Sequence, residues 1–159
     1  MPTVPPTLVR DKARKPGTLP PAFSLPSWFS PYGRLAVAAV LLAGAAYNGL
    51  VTLRHPESLR GVADIALFDV YRTFVTAVVL PHAAAFTAVL IAFHLAAALA
   101  LLARGRVVTF ALVAVLVFLL ALIPALGVYN TMNIPLLLFV GLLLLRTYPK
   151  TVLDELRHP

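Results

Sequence analysis

Long apolar runs alternate with short polar breaks over most of this chain of 159 residues. Four runs are long enough to cross a membrane, because a helix rises about 1.5 Å per residue and the hydrocarbon core is about 30 Å thick. We predict spans at residues 35–53, 82–103, 107–128 and 131–148. The predicted fold is an all-α membrane protein, a bundle of four transmembrane helices within residues 34–148.

The segment at residues 54–80 separates the first two predicted spans and carries charges that argue against a further crossing. Asp64, Asp69 and Arg72 would each cost about 2.5–3.5 kcal/mol at the centre of a bilayer. The segment also meets Pro81 without a loop that could reverse the chain. We predict an interfacial or re-entrant helix that does not span.

Both ends of the chain differ in composition from its apolar centre. Residues 1–33 are rich in proline and contain a basic run, which predicts a disordered cytoplasmic tail, and residues 149–159 predict a second short tail. With four spans, ten Lys and Arg residues lie on the side of the termini and three on the other side. The positive-inside rule then places both termini in the cytoplasm of a multi-pass protein of the plasma (inner) membrane.

Composition excludes several classes of protein. The chain is 60% hydrophobic and only 12% charged, with a mean hydropathy of +0.91, whereas soluble domains carry about a quarter charged residues. The absence of cysteine excludes disulfides and thiolate chemistry. The net charge of +7 lies mostly in the flanks, which favours membrane lipids over nucleic acid as partners.

The second predicted helix has two distinct faces. Thr87 and His94 lie two turns apart on one face, and a row of alanines at spacing four lies nearly opposite. Rows of small residues allow helices to approach closely, so we predict a protein partner or a homo-oligomer through this row. His94 is either a functional group within the membrane or a neutral histidine bonded to a neighbouring helix. The row is Ala84, Ala88, Ala92, Ala96 and Ala100.

Polar residues concentrate in the outward half of the predicted bundle. They would line a pocket suited to a polar head such as a quinone ring or a small anion. The alternative is that the Tyr and Asn side chains are interfacial anchors or caps and that the charged residues form a solvated pair. The candidate ligand-binding residues are Tyr47, Asn48, Asp69, Arg72, His82 and His94.

Neither a catalytic residue nor a metal site is predicted. The sequence lacks the spacings typical of paired carboxylates, metal-ligand clusters, nucleophile triads and phosphate-binding loops. Haem is not expected from this chain alone, because His82 and His94 are about 18 Å apart along a helix and cannot ligate one iron. Whether the chain is an enzyme stays open, and a non-catalytic subunit is favoured over a stand-alone enzyme.

The layout of the chain resembles that of the DoxX-like membrane family. The likeness covers about residues 34–148 and consists of four spans with a surface segment after the first. One departure is that His94 stands near a position where family members often carry an acidic residue. The motifs that carry the resemblance are Arg34, AGAAYNG at 43–49, RHPE at 54–57, LP at 80–81, FHL at 93–95 and ARGR at 103–106.

The resemblance implies a membrane subunit associated with an oxidoreductase complex. Such a subunit would bind a quinone-like lipid or dock a soluble redox enzyme. A non-catalytic scaffold that recruits other proteins is the alternative. A small transporter is the least favoured, because inverted repeats and charge networks within the membrane are absent from the sequence.

Overall fold

The computed structural model describes residues 26, 28–126, 131 and 133–157, and the regular structure in these ranges is entirely helical. Short π or 3-10 turns occupy Asn48–Thr52, Pro56–Leu59, Val75–Val79 and Leu80–His82. The α-helices are α1 (Phe29–Tyr47), α2 (Arg60–Ile65), α3 (Asp69–Phe74), α4 (Ala83–Leu102), α5 (Arg106–Leu126), α6 (Asn133–Leu144) and α7 (Val152–Arg157).

Three helical stretches are long and apolar enough to cross a membrane: Phe29–Thr52, Asp69–Leu102 and Arg106–Ala125. Their outer surfaces carry large apolar side chains, and Val89, for example, is 69% exposed. Such surfaces are costly in water but are well solvated by lipid. These helices indicate a membrane protein, in agreement with the sequence. The apolar helix α6 is shorter, at 12 residues.

The helix boundaries differ from the predicted ones at both ends of the chain. α1 begins at Phe29, so residues 29–33 are helical and do not belong to a tail, whereas residues 1–25 and 27 of the predicted tail lie outside the described part. The predicted C-terminal tail contains α7, which packs against α1. A six-residue helix has little stability of its own, so its formation depends on this packing.

The predicted non-spanning segment is helical in several short pieces, and its second half continues into α4. Helical backbone runs from Asp69 to Leu102 over 34 residues, which is about 51 Å at about 1.5 Å per residue. Pro81 is accommodated because it lies at the start of a 3-10 turn, where its missing N–H is not needed. The backbone departs from helical geometry one residue later, at His82 (φ −120°, ψ 30°).

α1 and α4 form an antiparallel pair, and α5 and α6 complete the core beside them. α4 and α5 are joined by a tight turn at Gly105, whose φ of +66° suits glycine. The N–H of Gly105 donates to the carbonyl of Tyr148 at 2.6 Å. The segment after α6 is therefore held beneath this turn.

The alanine row of α4 does not face the core. Four of its members are exposed, and the buried face of α4 contains Thr87 and His94 instead. Within the chain, α1 and α4 approach closely at Gly44. A side chain at this position would collide with the ring of His94. The exposed members are Ala84, Ala88, Ala92 and Ala96.

Replacing Gly44 by Ala should destabilise the helix pair. The added Cβ would lie 3.0 Å from both Cδ2 and Nε2 of His94, and that ring packs in one cluster with the rings of Phe93 and Phe118. We expect Gly44→Ala to lower the free energy of unfolding by about 1–3 kcal/mol, measured as denaturation in mild detergent.

Gly141→Ala is the matched control, because Gly141 also lies in a helix and an added Cβ there would meet open space. It should leave stability unchanged or raise it by about 0.5–1 kcal/mol. Equal effects of the two substitutions would contradict a close contact at Gly44.

Candidate functional site

A mainly apolar cavity of about 350 Å³ lies between the C-terminal end of α1, the segment before α4, and the facing sides of α4 and α5. Its volume falls in the range of about 300–1,000 Å³ that is typical of small-ligand sites. Aromatic rings form much of the wall. The lining residues are Thr52, Leu59, Val79, Phe86, Thr87, Val89, Leu90, Phe93 and Phe118.

Two threonines supply the polar groups of this cavity. Thr52 is 5% exposed and Thr87 is 2% exposed, and both belong to the cavity wall. A ligand that accepts a hydrogen bond from one of these hydroxyls would gain about 0.5–1.5 kcal/mol from it. The cavity therefore offers two hydrogen-bond donors within an apolar surround.

The cavity is open at its side. Val89 is 69% exposed and Phe86 is 38% exposed, and both belong to its wall. Phe74 packs edge-on against Phe86, with ring centroids 6.2 Å apart. The opening is therefore bordered by exposed apolar side chains.

The middle of the connection between α1 and α4 is joined to α5 by a backbone hydrogen bond. The N–H of Leu67 donates to the carbonyl of Pro124 at 3.0 Å. Pro124 lies inside α5, near the end of that helix. The bond fixes the segment before α3 over the end of the bundle.

His94 lies next to the cavity but is not part of its wall. It is 7% exposed, and its Nδ1 is 2.7 Å from the carbonyl oxygen of Leu90. A carbonyl only accepts, so Nδ1 carries the hydrogen, and in the neutral ring Nε2 is the acceptor. The predicted bond to a neighbouring helix is wrong, because the partner belongs to the same helix. His94 packs edge-on against both Phe93 and Phe118, two residues of the cavity wall, and so supports that wall.

The other five predicted residues do not line the cavity either. Tyr47 is 60% exposed, and Asn48 donates through Nδ2 to the carbonyl of Gly44, four residues earlier, at 2.8 Å. Asn48 therefore satisfies the backbone at the start of the π turn. This agrees with the alternative that such residues act as caps.

Asp69, Arg72 and His82 lie on the outside of the connecting segment. Nη1 of Arg72 is 3.0 Å from Oδ1 of Asp69, and both side chains are largely exposed, at 52% and 92%. Exposed pairs of this kind contribute about 0–1 kcal/mol. Arg72 also donates to the carbonyl of Ala63 at 3.4 Å. His82 is exposed as well.

Thr87 could be found from the sequence, because a hydroxyl two turns from His94 marks the buried face of α4. Thr52 could not, since its direction depends on the π turn at Asn48–Thr52, which rotates the end of the helix. Across the described ranges, no group of three or more His, Cys, Asp or Glu residues could hold a metal ion. This part of the chain offers hydrogen bonding and apolar contact as its binding chemistry.

The opposite end of the bundle contains a buried charge. Arg34 is completely buried, its Nη2 lies 2.9 Å from Oε2 of Glu155, and its Nη1 donates to the carbonyl of Ala103 at 3.1 Å. Its guanidinium also stacks on the ring of Tyr148 at 5.0 Å. Ser30 donates to the same Oε2 at 3.0 Å. This Arg34 cluster joins α1, the α4–α5 turn and α7.

Two of the three guanidinium nitrogens of Arg34 make no hydrogen bond of good geometry to the described residues. The approach of Nη2 to Glu155 is close but does not have the geometry of a hydrogen bond, and Nε has no hydrogen-bond partner in the described part. The pair is therefore held by charge more than by directed hydrogen bonds. In a low dielectric, a carboxylate 2.9 Å away is still a strong stabilising contact.

Two groups near the cluster have shifted pKa values. Burial raises the pKa of Tyr148 to about 12, against the opposing effect of the Arg34 charge. Its phenol donates to the carbonyl of Leu143. In α7, the hydroxyl of Thr151 donates to Asp154 and lowers the pKa of that carboxyl. Thr151 also accepts from the N–H of Asp154 and so caps the helix.

No family model, curated protein or solved structure matches the chain. The resemblance to the DoxX-like family therefore stays a prediction.

Replacing Glu155 by Gln should destabilise the protein, because it leaves the buried guanidinium of Arg34 without a counter-charge. We expect a loss of about 3 kcal/mol in the free energy of unfolding, measured in detergent. Combining Arg34→Met with Glu155→Leu should be less damaging than Glu155→Gln alone, since it removes both charges.

Glu57→Gln is the control for this test. Glu57 contacts His55 at 3.2 Å, but its side chain is 68% exposed, so the change should stay within about 0.5 kcal/mol. If Glu155→Gln is as mild as Glu57→Gln, the Arg34 cluster does not hold α7 in place.

Proposed function

We propose that this protein is a DoxX-like membrane subunit of an oxidoreductase complex and that it binds a quinone-like lipid in the cavity of Thr52 and Thr87. The observation that carries the proposal is the pair of nearly buried threonines in the wall of an otherwise apolar cavity. A quinone ring matches this lining, because its flat faces suit aromatic walls and its carbonyl oxygens accept hydrogen bonds. Its isoprenoid tail would leave through the side opening.

The cavity lining favours a neutral ligand over a small anion. No side chain in its wall is charged, and an anion transferred to an uncharged apolar site would lose its hydration without compensation. The chain itself would position the ring and exclude water from it. Electron transfer would belong to the redox partner, which agrees with a non-catalytic role for this subunit.

Ligand binding can be tested with isosteric variants. The protein is purified in mild detergent, the bound quinone is extracted and identified by mass spectrometry, and a short-chain quinone is titrated against the thermal unfolding midpoint. Thr87→Val and Thr52→Val each remove a hydroxyl without changing the volume. We expect each to weaken binding about two- to tenfold, the value of one hydrogen bond.

Thr109→Val provides the matched control, because Thr109 is exposed on α5 and lies outside the cavity. It should bind like the parent. Binding that is unaffected by Thr87→Val and Thr52→Val, or a preparation that never retains quinone, would contradict the proposal.

The second candidate function is that of a recruiting scaffold. The exposed row at Ala84, Ala88, Ala92 and Ala96 favours it, since small residues on an outer helix face allow a second helix to pack closely. The row therefore suits a protein partner or a second copy of this chain. Co-purification of protein partners without any quinone would favour the scaffold over the quinone-binding subunit.

We further propose that α6 makes a fourth crossing of the plasma membrane and that both termini are cytoplasmic. α6 spans only about 18 Å, at about 1.5 Å per residue, so the polar residues that flank it would have to reach the interface. Charge supports the orientation. Among the described residues, the end that contains the Arg34 cluster has six basic and two acidic residues, whereas the other end has three of each.

Single cysteines test this topology cleanly, because the natural chain has none. In intact cells, a membrane-impermeant maleimide should label Arg60→Cys but neither Lys15→Cys nor Arg157→Cys. After the cells are permeabilised, all three should react. Labelling of residue 15 or 157 from outside, or protection of residue 60, would contradict the four-span arrangement.

A further inference from the structure

A second cavity, of about 400 Å³, lies at the end of the bundle that contains the Arg34 cluster. We propose that it binds the headgroup of an anionic phospholipid from the adjacent leaflet. This site is separate from the cavity of Thr52 and Thr87, and the proposal does not depend on quinone binding there. The residues that carry the argument are Trp28, Ser30, Tyr32, Arg146, Lys150 and Glu155.

The charges of this cavity suit an anion. Arg146 and Lys150 both line it, and the one carboxylate, Glu155, is already neutralised by the buried Arg34. Lys150 is exposed and makes no ion pair with a residue in the part that the structure describes. Arg146 donates through Nη2 to the carbonyl of Pro26 at 3.1 Å, which helps to place its charge at the cavity wall.

The carboxylate of Glu155 adds a specific polar group. Its contacts with Arg34 and Ser30 both use Oε2, and the side chain is still 16% exposed at the cavity wall. Oε1 can therefore accept a hydrogen bond from a hydroxyl of the headgroup. The phosphate would lie near Lys150 and Arg146, and a headgroup hydroxyl near Glu155.

The position of the cavity points to a lipid as the source of the phosphate. Trp28 and Tyr32 belong to its wall and are 60% and 57% exposed. Aromatic side chains of this kind favour the level of the headgroups, where they lie beside acyl chains. Basic pockets at this depth are typical binding sites for anionic headgroups. Leu156 provides an apolar wall for the start of an acyl chain.

The test uses the full chain in nanodiscs or detergent, with native mass spectrometry to count bound lipid. Phosphatidylglycerol should be retained and should raise the unfolding midpoint, whereas phosphatidylcholine, which has a phosphate but no net charge, should do neither. Lys150→Gln should weaken phosphatidylglycerol binding about fivefold, the typical effect of one basic residue near an anionic surface.

Arg106→Gln removes the same charge from the same end of the bundle, but Arg106 does not line the cavity. It should bind phosphatidylglycerol like the parent. An equal loss in both variants would overturn the proposal, because it would show general attraction to an anionic surface. Equal retention of phosphatidylcholine would overturn it as well.

A third measurement separates a lipid from a free phosphate compound. Soluble glycerol phosphate carries the same charged group without acyl chains, so at millimolar concentration it should not displace phosphatidylglycerol from the parent protein. Efficient displacement by this compound would identify a soluble phosphate site and would overturn the lipid assignment.

Discussion

A positive charge that water cannot reach must find its counter-charge inside the protein, and the arrangement of this bundle at one end follows from that constraint. Arg34 projects from the second turn of α1 into the space between α4, α6 and α7. Its carboxylate partner comes from the last helix of the described chain, 121 residues later in the sequence. The pair thus fixes the position of α7 and closes the end of the bundle around Tyr148.

At the opposite end, the backbone rather than a charge determines the structure. Two π turns, at Asn48–Thr52 and Val75–Val79, lie on either side of the apolar cavity. A π turn is rare and often occurs at functional sites, because it changes the direction of the side chains that follow it. Here Thr52, the last residue of the first π turn, lines the cavity together with Thr87.

The all-helical structure and the apolar helices could be predicted because they depend on composition and run length. The continuous helical stretch that begins at Asp69 could not be predicted, since the charges of Asp69 and Arg72 and the ring of Pro81 all suggest that a membrane helix begins only after them. Pro81 lies in a 3-10 turn that directly follows a π turn, and Asp69 and Arg72 form an ion pair at the surface. The two turns have no periodic signal in the sequence, whereas Asp69 and Arg72 lie at the i,i+3 spacing of a helix and form the solvated pair that the sequence offered as an alternative.

The candidate site was less predictable than the fold. Sequence reasoning weighted the charged and imidazole groups of Asp69, Arg72 and His82, which the structure places on the exposed outside of the connecting segment. The polar residues of the cavity wall are two threonines, whose small hydroxyls are common on any helix. Only the packing shows which hydroxyls point into a cavity. Arg34 was noted as part of a family motif, but its burial depends on Glu155, which is distant in sequence.

The side opening of the cavity at Phe86 and Val89 determines which ligand concentration sets the occupancy of the site. A ligand that arrives through this opening is delivered by diffusion in two dimensions, and the relevant concentration is its mole fraction among the surrounding lipids. Diluting a membrane preparation with buffer would therefore leave the site as full as before, whereas adding ligand-free lipid or detergent would empty it.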